Sequence, residues 1–416
     1  MAIPTDDNRH VLSRRALLQT ATLASVALPA VASARKAEPT LRDALLLSRD
    51  VCYFNAANIG PAFRSVINVQ HRGTEAFQTN PSREYRERYP VAANKLRARL
   101  GKRMGVQAEE IALVRNASEA NTVAVLGLDL LPGDQIIVTE HNHQSTLDSW
   151  RLRAKREKLD VVILKTPVAA ASPQEIVDAF AAAVTGRTRA IFVSHMTNVT
   201  GLLYPVAEIA QIARKRGAWL HVDGAQTFGW MKLDLVALGV DSFSGSTHKW
   251  LLGPLEGGVL YVRHDRQYAL NPIMISHGYW LTDPRNVETA QKYEILGQRD
   301  DPKLAAIDET LDRLDAIGEA MIEARVRAMG ETMRAALVKV PGVRLVGSAH
   351  PALAGPVMTV AIDGKDAAAV RDQMWMTAKV ATALAEADGQ KLIRFSPHLY
   401  NSADDIALVT DLLARS

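Results

Sequence analysis

Short apolar runs alternate with helical patterns between about residues 110 and 262. Seven runs of three to five residues are typical of buried strands, and the segments 173–184 and 206–215 carry apolar residues at helical spacing. Such alternation predicts an α/β protein with β-α-β units and a mostly parallel sheet, which binds ligands at the carboxyl ends of its strands. The predicted strands are 111–114, 135–138, 161–164, 190–194, 219–222, 242–244 and 258–262.

The pattern changes after about residue 300. A long helical stretch, 302–340, precedes shorter strands separated by helices, which predicts a smaller α+β domain at the C-terminus. We expect the N-terminal stretch to pack with this domain or along the domain interface. The predicted division is an export signal at 1–34, an N-terminal segment that lines the site at 35–60, a large domain at 61–298 and a small domain at 299–416. The predicted strands of the small domain are 343–346, 357–362 and 392–396.

The first 34 residues have the composition of an export signal. Paired arginines, Arg14 and Arg15, precede an alanine-rich apolar run that ends on an Ala-x-Ala cleavage pattern. The run is at the short limit for a transmembrane helix and only moderately apolar, so a cleaved signal is favoured over a membrane anchor. The motif Ser-Arg-Arg-x-Leu-Leu resembles a twin-arginine signal, which implies export of the folded protein to the periplasm by the twin-arginine translocase. A general secretory peptide is the alternative.

Charge and cysteine content limit the classes of partner. The chain carries a net charge of +4, and removal of residues 1–34 takes away three arginines and two aspartates, which leaves +3. That excess is too small to indicate nucleic acid binding. Cys52 is the only cysteine, so no intrachain disulfide can form in an oxidising compartment. We expect a protein that binds no nucleic acid and, once the signal is removed, no membrane.

Two polar residues follow neighbouring strands of the predicted sheet. Asp223 comes directly after strand 219–222, and Lys249 follows strand 242–244 by a short loop. Pyridoxal 5′-phosphate (PLP) needs a carboxylate that keeps a proton on its pyridine nitrogen and an amine that condenses with its aldehyde. Each residue alone has a more ordinary interpretation, because an aspartate after a strand commonly caps a helix and a loop lysine is usually solvated.

Five further motifs accompany this pair in order along the chain. Together with Asp223 and Lys249 they resemble the class V aminotransferase family of fold type I PLP enzymes, over residues 50 to 405. This family includes cysteine desulfurases, kynureninase and isopenicillin N epimerase, and the resemblance implies a PLP-dependent enzyme whose large domain holds a seven-stranded, mostly parallel sheet. The motifs are FNAANIGP at 54–61, RNASEAN at 115–121, SHMTNVTG at 194–201, GQRD at 297–300 and LIRFSPHLYN at 392–401.

The resemblance puts the cofactor phosphate at the turn 115–121. Ala117 and Ser118 would offer backbone N–H groups and a hydroxyl at the start of a helix, which suits a dianion. A plain helix N-cap is the ordinary role for Ser118 and is compatible with that contact. Ser246 and His248 stand where the family makes further phosphate contacts.

The cofactor ring is expected to meet three side chains. His143 stands where the family stacks a ring on the pyridine, with His141 as its rival and a surface histidine as the plain alternative. Asn198 and Gln226 correspond to groups near the phenolic oxygen, whose charge balance such hydrogen bonds set. A simple turn residue is the alternative for Asn198. The catalytic residues implied by the resemblance are Lys249, Asp223 and His143.

The resemblance also assigns substrate and subunit contacts. Arg394 matches the small-domain arginine that binds the substrate α-carboxylate, since a planar fork of donors holds a carboxylate at two points; a surface ion pair is the alternative. Asn55 lies in the segment that lines the substrate mouth. Gln298 replaces a threonine that reaches the phosphate of the neighbouring subunit in the family. That substitution leaves the contact open, and a homodimer is expected if it is kept.

The cysteine content narrows the reaction. Desulfurases carry a thiol on a loop before the substrate-binding arginine, and residues 345–393 contain no cysteine. The remaining reactions begin with an aldimine of the substrate amine, from which Lys249 removes the α-proton to give a quinonoid. Epimerisation, transamination and loss of a β-group then diverge. Epimerisation needs a second acid, for which the candidates are Tyr279, His277 and Tyr89.

The expected substrate is an amino acid or a small peptide. Class V enzymes with twin-arginine signals include the periplasmic enzyme that tailors pyoverdine siderophores, so an exported peptide is a candidate by resemblance. Two alternatives stay open. One is a thiol-independent lyase of the selenocysteine-lyase kind, and the other is an exported protein that keeps the fold and PLP without turnover. No metal site is expected.

Overall fold

The seven apolar runs between residues 111 and 262 form one sheet in the structure, a computed structural model that describes residues 41–276 and 287–416. Every residue of five of these strands is buried, as expected for strands covered on both faces. In chain order the strands are β1 Cys52–Tyr53, β2 Ile111–Val114, β3 Gln135–Thr139, β4 Asp160–Leu164, β5 Thr188–Ser194, β6 Trp219–Asp223, β7 Ser242–Ser246, β8 Gly258–Val262, β9 Val343–Val346, β10 Met358–Ile362, β11 Val380–Ala381, β12 Ala383–Ala387 and β13 Gln390–Phe395.

The strand order of the central sheet is β2-β8-β7-β6-β5-β3-β4. Strand β8 runs antiparallel to both of its neighbours, and the other four adjacent pairs are parallel. The predicted seven-stranded, mostly parallel sheet is therefore confirmed. Its register pairs Asp223 with Ser194 on one side and with Ser244 on the other. The carboxyl ends of β5, β6 and β7 are thus level, and their polar groups meet at one edge.

Alternate apolar residues of most central strands enter two separate hydrophobic clusters. In β2, Ile111 and Leu113 join one cluster, whereas Ala112 and Val114 join the other. Because side chains alternate along a strand, this division shows that both faces of the sheet are covered. The α-helices that the structure describes are Leu41–Ala44, Arg64–Thr79, Arg83–Arg86, Arg88–Met104, Ala117–Gly127, Gln144–Glu157, Pro173–Ala183, Val206–Arg216, Leu235–Leu238, Lys303–Ile317, Glu319–Leu337, Ala367–Ala378 and Ala403–Arg415, with 3₁₀ helices at Ala108–Glu110, His264–Ala269 and Ala290–Tyr293.

A third hydrophobic cluster lies in the C-terminal part of the chain. There a four-stranded antiparallel sheet of order β12-β13-β10-β9 packs with three helices. The stretch predicted as one long helix is two helices, because Gly318 interrupts it with φ 89°. Strand β1 pairs with β11, and Phe54 belongs to the third cluster. The N-terminal segment therefore packs with the C-terminal region, as predicted.

The chain from Pro39 to Ser416 forms one compact unit. The boundaries at 60/61 and 298/299 stay predictions, and the export signal at 1–34 lies outside the described residues. Within 41–276 and 287–416, no helix combines the length and the apolar character needed to cross a membrane.

Candidate active site

A cavity of about 360 Å³ opens where β5, β6 and β7 end. Nine of the twelve residues predicted for the site line it, although they come from five separate stretches of sequence. Asn55, Gln298 and Arg394 are not among the residues of its wall. The nine are Ala117, Ser118, His143, Asn198, Asp223, Gln226, Ser246, His248 and Lys249.

Lys249 lies in a tight loop three residues beyond β7. The loop is closed by Thr247, whose hydroxyl donates to Pro254 O at 2.6 Å and whose backbone N–H donates to Gly257 O at 2.9 Å. Burial lowers the pKa of Lys249 below its usual range, and the positive charge of Arg394 acts in the same direction, while Asp223 opposes both. The amine is therefore nearer to its neutral form than an exposed lysine would be.

The Asp223 carboxylate is held by two donors from the protein. Its Oδ1 accepts from the backbone N–H of Ala225 at 2.9 Å, and its Oδ2 accepts from Nδ2 of Asn121 at 2.8 Å. Both contacts fix the direction in which the carboxylate faces the cavity. Asn121 also lines the cavity but was not assigned a role from the sequence.

The helix Ala117–Gly127 begins at the part of the cavity where the sequence predicts the cofactor phosphate. Asn116 caps this helix through its side chain, which accepts from the N–H of Glu119 at 2.9 Å. Ser118 is consequently the second residue of the helix and not its cap, so the ordinary role considered for it is wrong. Ser246 accepts from the N–H of Ala117 at 2.8 Å, which joins the end of β7 to the helix start.

One buried atom at this end tests whether a phosphate fits. Nδ1 of His248 is buried and has no hydrogen-bond partner in the described part of the chain. A buried polar atom without a partner is costly, and an anion beside the exposed Ser118 hydroxyl would satisfy it. Burial lowers the pKa of His248, with Lys249 acting in the same direction. The residues present therefore fit a phosphate held by neutral donors and a helix N-terminus.

His143 presents its ring to the cavity, and its rival does not. His143 caps the helix Gln144–Glu157, and its Nδ1 lies 2.8 Å from Oγ of Ser145 and 3.3 Å from the N–H of that residue. His141 is buried and is not part of the cavity wall. Burial lowers the pKa of His143, the positive charge of Lys249 lowers it further, and the Asp223 carboxylate opposes both effects. Its ring is thus neutral near pH 7, as stacking on a cofactor ring allows.

Gln226 ties the N-terminal segment to the lysine loop. Its Nε2 donates to Ala57 O at 3.0 Å, and its Oε1 accepts from Trp250 Nε1 at 2.8 Å. Gly60 adds a second link, because its N–H donates to His248 O at 2.7 Å. The second hydrogen of Gln226 Nε2 is the one left for a ligand, while Asn198 lines the cavity from the turn after β5.

Arg394 is a buried cation whose hydrogen-bond partners are uncharged polar groups. Its Nη1 donates to Asn198 O at 2.9 Å and its Nη2 to Asn55 Oδ1 at 3.0 Å, whereas its buried Nε has no partner within the described residues. Asn55, expected at the substrate mouth, is therefore the residue that orients Arg394. Burial lowers the pKa of Arg394 to about 10, and Tyr53 opposes the shift. The guanidinium stays charged at neutral pH.

The remaining candidates lie elsewhere. Gln298 accepts from Nη1 of Arg86 at 3.1 Å and lines a different cavity, so within this chain it is separate from the other site residues. Tyr89 packs against Tyr85 and is not part of the wall of the active-site cavity. His277 and Tyr279 fall outside the described residues.

Comparisons with known proteins give a consistent family. The aminotransferase class-V model matches residues 53–409. Isopenicillin N epimerase from Amycolatopsis lactamdurans is 29% identical over 386 residues, which span 89% of this chain and 96% of the relative. A probable cysteine desulfurase from Methanothermobacter thermautotrophicus is 27% identical and covers 91% of this chain and 97% of its own length.

Solved structures show the same fold. A lysine-to-alanine mutant of the protein C-DES with glycine covalently linked to its PLP cofactor superposes with a TM-score of 0.81 at 20% identity, over 88% of this chain and 97% of that one. An apo cysteine desulfurase from Thermococcus onnurineus gives 0.79 at 20% identity, over 90% and 96%. These likenesses confirm the fold type I architecture. On the match of the family model to nearly the whole described chain, the protein belongs to the aminotransferase class-V family and is a PLP-dependent enzyme.

Proposed function

We propose that the protein acts on an amino acid or small peptide with a free carboxylate, changing it at the α-carbon or in the side chain. Within this range we rank epimerase-like or side-chain-tailoring activity first. The observation that carries the proposal is Arg394, a buried guanidinium at the edge of the PLP site with no carboxylate partner in the described chain. A buried charge without a counterion is unfavourable, so a carboxylate brought by the substrate would complete this arrangement.

The polar partners of Arg394 support this role. The carbonyl of Asn198 accepts from Nη1 and the side chain of Asn55 accepts from Nη2, so the plane of the guanidinium is fixed before a ligand arrives. A planar fork held in this way binds a carboxylate at two points and restricts the orientation of the α-carbon.

The lysine is suited to moving a proton at that α-carbon. When bound, PLP supplies the electron sink that stabilises negative charge at the α-carbon. Lys249 has a lowered pKa because it is buried, and a base must be neutral to accept a proton. Asp223, fixed by Asn121 and Ala225, would hold the protonated ring nitrogen. His143 faces the same cavity and would cover the ring.

The cysteine content weighs against a desulfurase that uses a protein thiol. Cys52 is buried, and its Sγ lies 3.5 Å from Oδ1 of Asp405. It is absent from the cavity wall, and burial followed by the charge of Asp405 raises its pKa to about 12. The epimerase relative, which is 29% identical against 27% for the desulfurase relative, supports the epimerase-like ranking. Tailoring of an exported peptide such as a pyoverdine is part of the proposal, supported by the signal-like N-terminus.

Export and dimer formation belong to the same proposal. Arg14, Arg15 and the cleavage pattern support twin-arginine export to the periplasm. Exposed apolar side chains support a second copy of the chain as a cover: Leu255 lines the active-site cavity, and Met274 lines an adjoining cavity that shares Asn116 and Ser118 with it. Retention of the protein in the cytoplasm when both arginines are replaced by lysine would support the route, and analytical ultracentrifugation of the mature protein tests the dimer.

A spectral screen in deuterated water tests the reaction. Purified protein with PLP is mixed with amino acids and small peptides, the visible absorption of the cofactor is followed, and products are identified by mass spectrometry and chiral chromatography. Epimerisation is expected to give the opposite stereoisomer with deuterium at the α-carbon. A keto acid indicates transamination, and a lost β-group indicates a lyase.

Two controls make the screen decisive. Lys249→Ala should lose the absorption of the lysine-bound cofactor, and Arg344→Lys, at an exposed arginine of β9, should behave as wild type. If wild type binds PLP and no amine or peptide perturbs its spectrum, the proposed activity is wrong and a protein without turnover is favoured.

A further inference from the structure

We propose that Asn121 is a positioning residue that sets the orientation of the Asp223 carboxylate and holds three cofactor-binding elements in register. It lies one helical turn after Ala117, at the phosphate end of the site. Its Nδ2 donates to Asp223 at 2.8 Å and to Oγ1 of Thr146, on the helix that His143 caps, at 3.2 Å. One carboxamide thus contacts the elements expected to hold the phosphate, the ring nitrogen and the stacked face. The inference rests on the PLP site and deepens the proposed function.

The side chains behind Asn121 allow one arrangement of hydrogens. The indole of Trp219 is a donor only, and its Nε1 lies 2.8 Å from Oγ of Ser242. Oγ of Ser242 also lies 2.7 Å from Nδ1 of His221, to which its hydroxyl donates if the hydrogen of that ring is on Nε2. His221 Nε2 donates in turn to Oδ1 of Asn121 at 2.9 Å. Because Asp223 as a carboxylate can only accept, Nδ2 of Asn121 must face it and Oδ1 must face His221. This orientation requires the His221 hydrogen on Nε2 and makes the Ser242 hydroxyl the donor to Nδ1.

Burial makes this chain of hydrogen bonds stiff. Asn121 and His221 are 2% and 1% exposed, and Ser244, which donates to Oδ1 of Asn121 at 2.6 Å, is fully buried. Burial lowers the pKa of His221 to about 4, so its ring is neutral under ordinary conditions and keeps the single donor that the chain needs. Because His221 and Ser244 both donate to Oδ1 of Asn121, rotation of the carboxamide would break both hydrogen bonds. Its Nδ2 therefore stays directed at Asp223.

The contact bears on the proton that the cofactor nitrogen needs. The Asp223 carboxylate would hold that proton only while one of its oxygens faces the ring nitrogen. Without the Asn121 donor, Asp223 keeps only the hydrogen bond from the backbone N–H of Ala225 and is freer to turn, so the ring nitrogen would lose the partner of its proton. The electron-accepting capacity of the ring would fall with it. Asn121 would act in this way through Asp223.

The test uses the holoenzyme and PLP labelled with ¹⁵N in the ring. Asn121→Leu keeps the approximate volume and removes the carboxamide, and Gln267→Met is the matched control. Gln267 is another buried carboxamide, whose Nε2 donates only to backbone carbonyls and which is absent from the cavity wall. In N121L we expect the ¹⁵N chemical shift to move towards unprotonated nitrogen. The dissociation constant for PLP should rise about tenfold or more, since hydrogen bonds to charged groups are among the strong ones. Q267M should match wild type in both.

The outcomes separate the inference from the function on which it rests. If wild type shows no lysine-bound cofactor band, the assignment of the site itself fails. If wild type is normal and N121L has an unchanged ¹⁵N shift, Asn121 is not a positioning residue for Asp223, even where PLP affinity falls. If N121L does not fold, Asn121→Ala, which is smaller and admits water, is judged by the same two measurements.

Discussion

Arg394 donates a hydrogen bond of 3.0 Å to the carboxamide oxygen of Asn55, although 339 residues separate them in sequence. The bond joins β13 to the N-terminal segment, and Asn55 also forms a bridge with Ser396. Asn55 offers a neutral oxygen where a carboxylate would form an ion pair. The guanidinium is therefore oriented but not neutralised, which leaves its charge for a ligand.

Replacing Asn55 by aspartate tests this relationship. The isosteric carboxylate of Asn55→Asp should pair with Arg394 and compete with the substrate carboxylate. We expect the KM of the substrate found in the screen to rise about tenfold or more, in line with the strength of hydrogen bonds between charged groups. Steady-state kinetics at saturating PLP give the value, and the dissociation constant of PLP should stay as in wild type.

Asn55→Ala is the control for this prediction. It removes the orienting oxygen without adding a charge, so its KM should rise less than that of N55D. An equal or smaller effect in N55D would show that Arg394 does not meet the substrate carboxylate.

The central sheet was predictable mainly because most of its strands are apolar and buried on both faces. Each of the seven predicted runs lies within two residues of the observed strand, although β4 is only partly buried and β7 carries serines on one face. Strand β12 was not predicted. Its sequence, Ala-Leu-Ala-Glu-Ala, has low strand propensity, and pairing with β13 makes it a strand.

The active site likewise contains residues that the sequence predicts and residues that only the fold reveals. Residues at or just beyond strand ends, such as Asp223 and Lys249, were predictable because the carboxyl ends of parallel strands meet at one edge. Asn121 was missed because its partners, His221 and Ser244, lie 100 and 123 positions away, and only the fold brings them together. The cap at Asn116 could have been found, since an asparagine three residues before Glu119 is a local helix-start signal.

Gly60 is predicted to be irreplaceable for steric reasons. A Cβ at this position would lie 2.0 Å from the backbone oxygen of Lys249, which a side chain cannot approach so closely. Gly60→Ala must push the N-terminal segment away from the lysine loop and break the link from Gly60 to His248. We expect a loss of about 1–3 kcal/mol in the free energy of unfolding, as for other overpacked sites, together with weaker PLP binding. Urea denaturation and PLP titration measure these quantities.

Gly186→Ala is the matched control for Gly60. A Cβ there would meet nothing within 4 Å, and the φ of Gly186 is not in the left-handed region. This variant should bind PLP as wild type does and lose no stability. Equal behaviour of the two variants would contradict the steric explanation.

The apoprotein should gain stability with rising pH through Lys249. Burial lowers the pKa of this lysine in the folded state, whereas in the unfolded chain it is near 10.4. Between these two values the unfolded state binds more protons, so the contribution grows as pH rises and is lost as pH falls through the folded pKa. The slope cannot exceed about 1.4 kcal/mol per pH unit for one group. The free energy of unfolding in urea is measured for wild-type and Lys249→Met apoprotein at about pH 8 and pH 10. The change in their difference between the two pH values gives the contribution of Lys249.

Lys102→Met at an exposed position controls for the loss of one charge. The difference in free energy of unfolding between K102M and wild type should be much the same at both pH values. If the difference in free energy of unfolding between K249M and wild type is also independent of pH, the Lys249 amine is not held in a desolvated position.

The Cys52 thiol should resist alkylation until the protein unfolds. It is buried beside Asp405, and burial with that negative charge raises its pKa from about 9 to about 12. Because the thiolate is the reactive form, a shift of this size lowers its population near pH 8 on the order of a thousandfold. Intact-mass measurement after iodoacetamide should show no adduct in the native protein and one adduct in urea. Rapid native labelling, or a persulfide on Cys52 after turnover with L-cysteine, would contradict the conclusion that no protein thiol takes part and would return a desulfurase reaction to consideration.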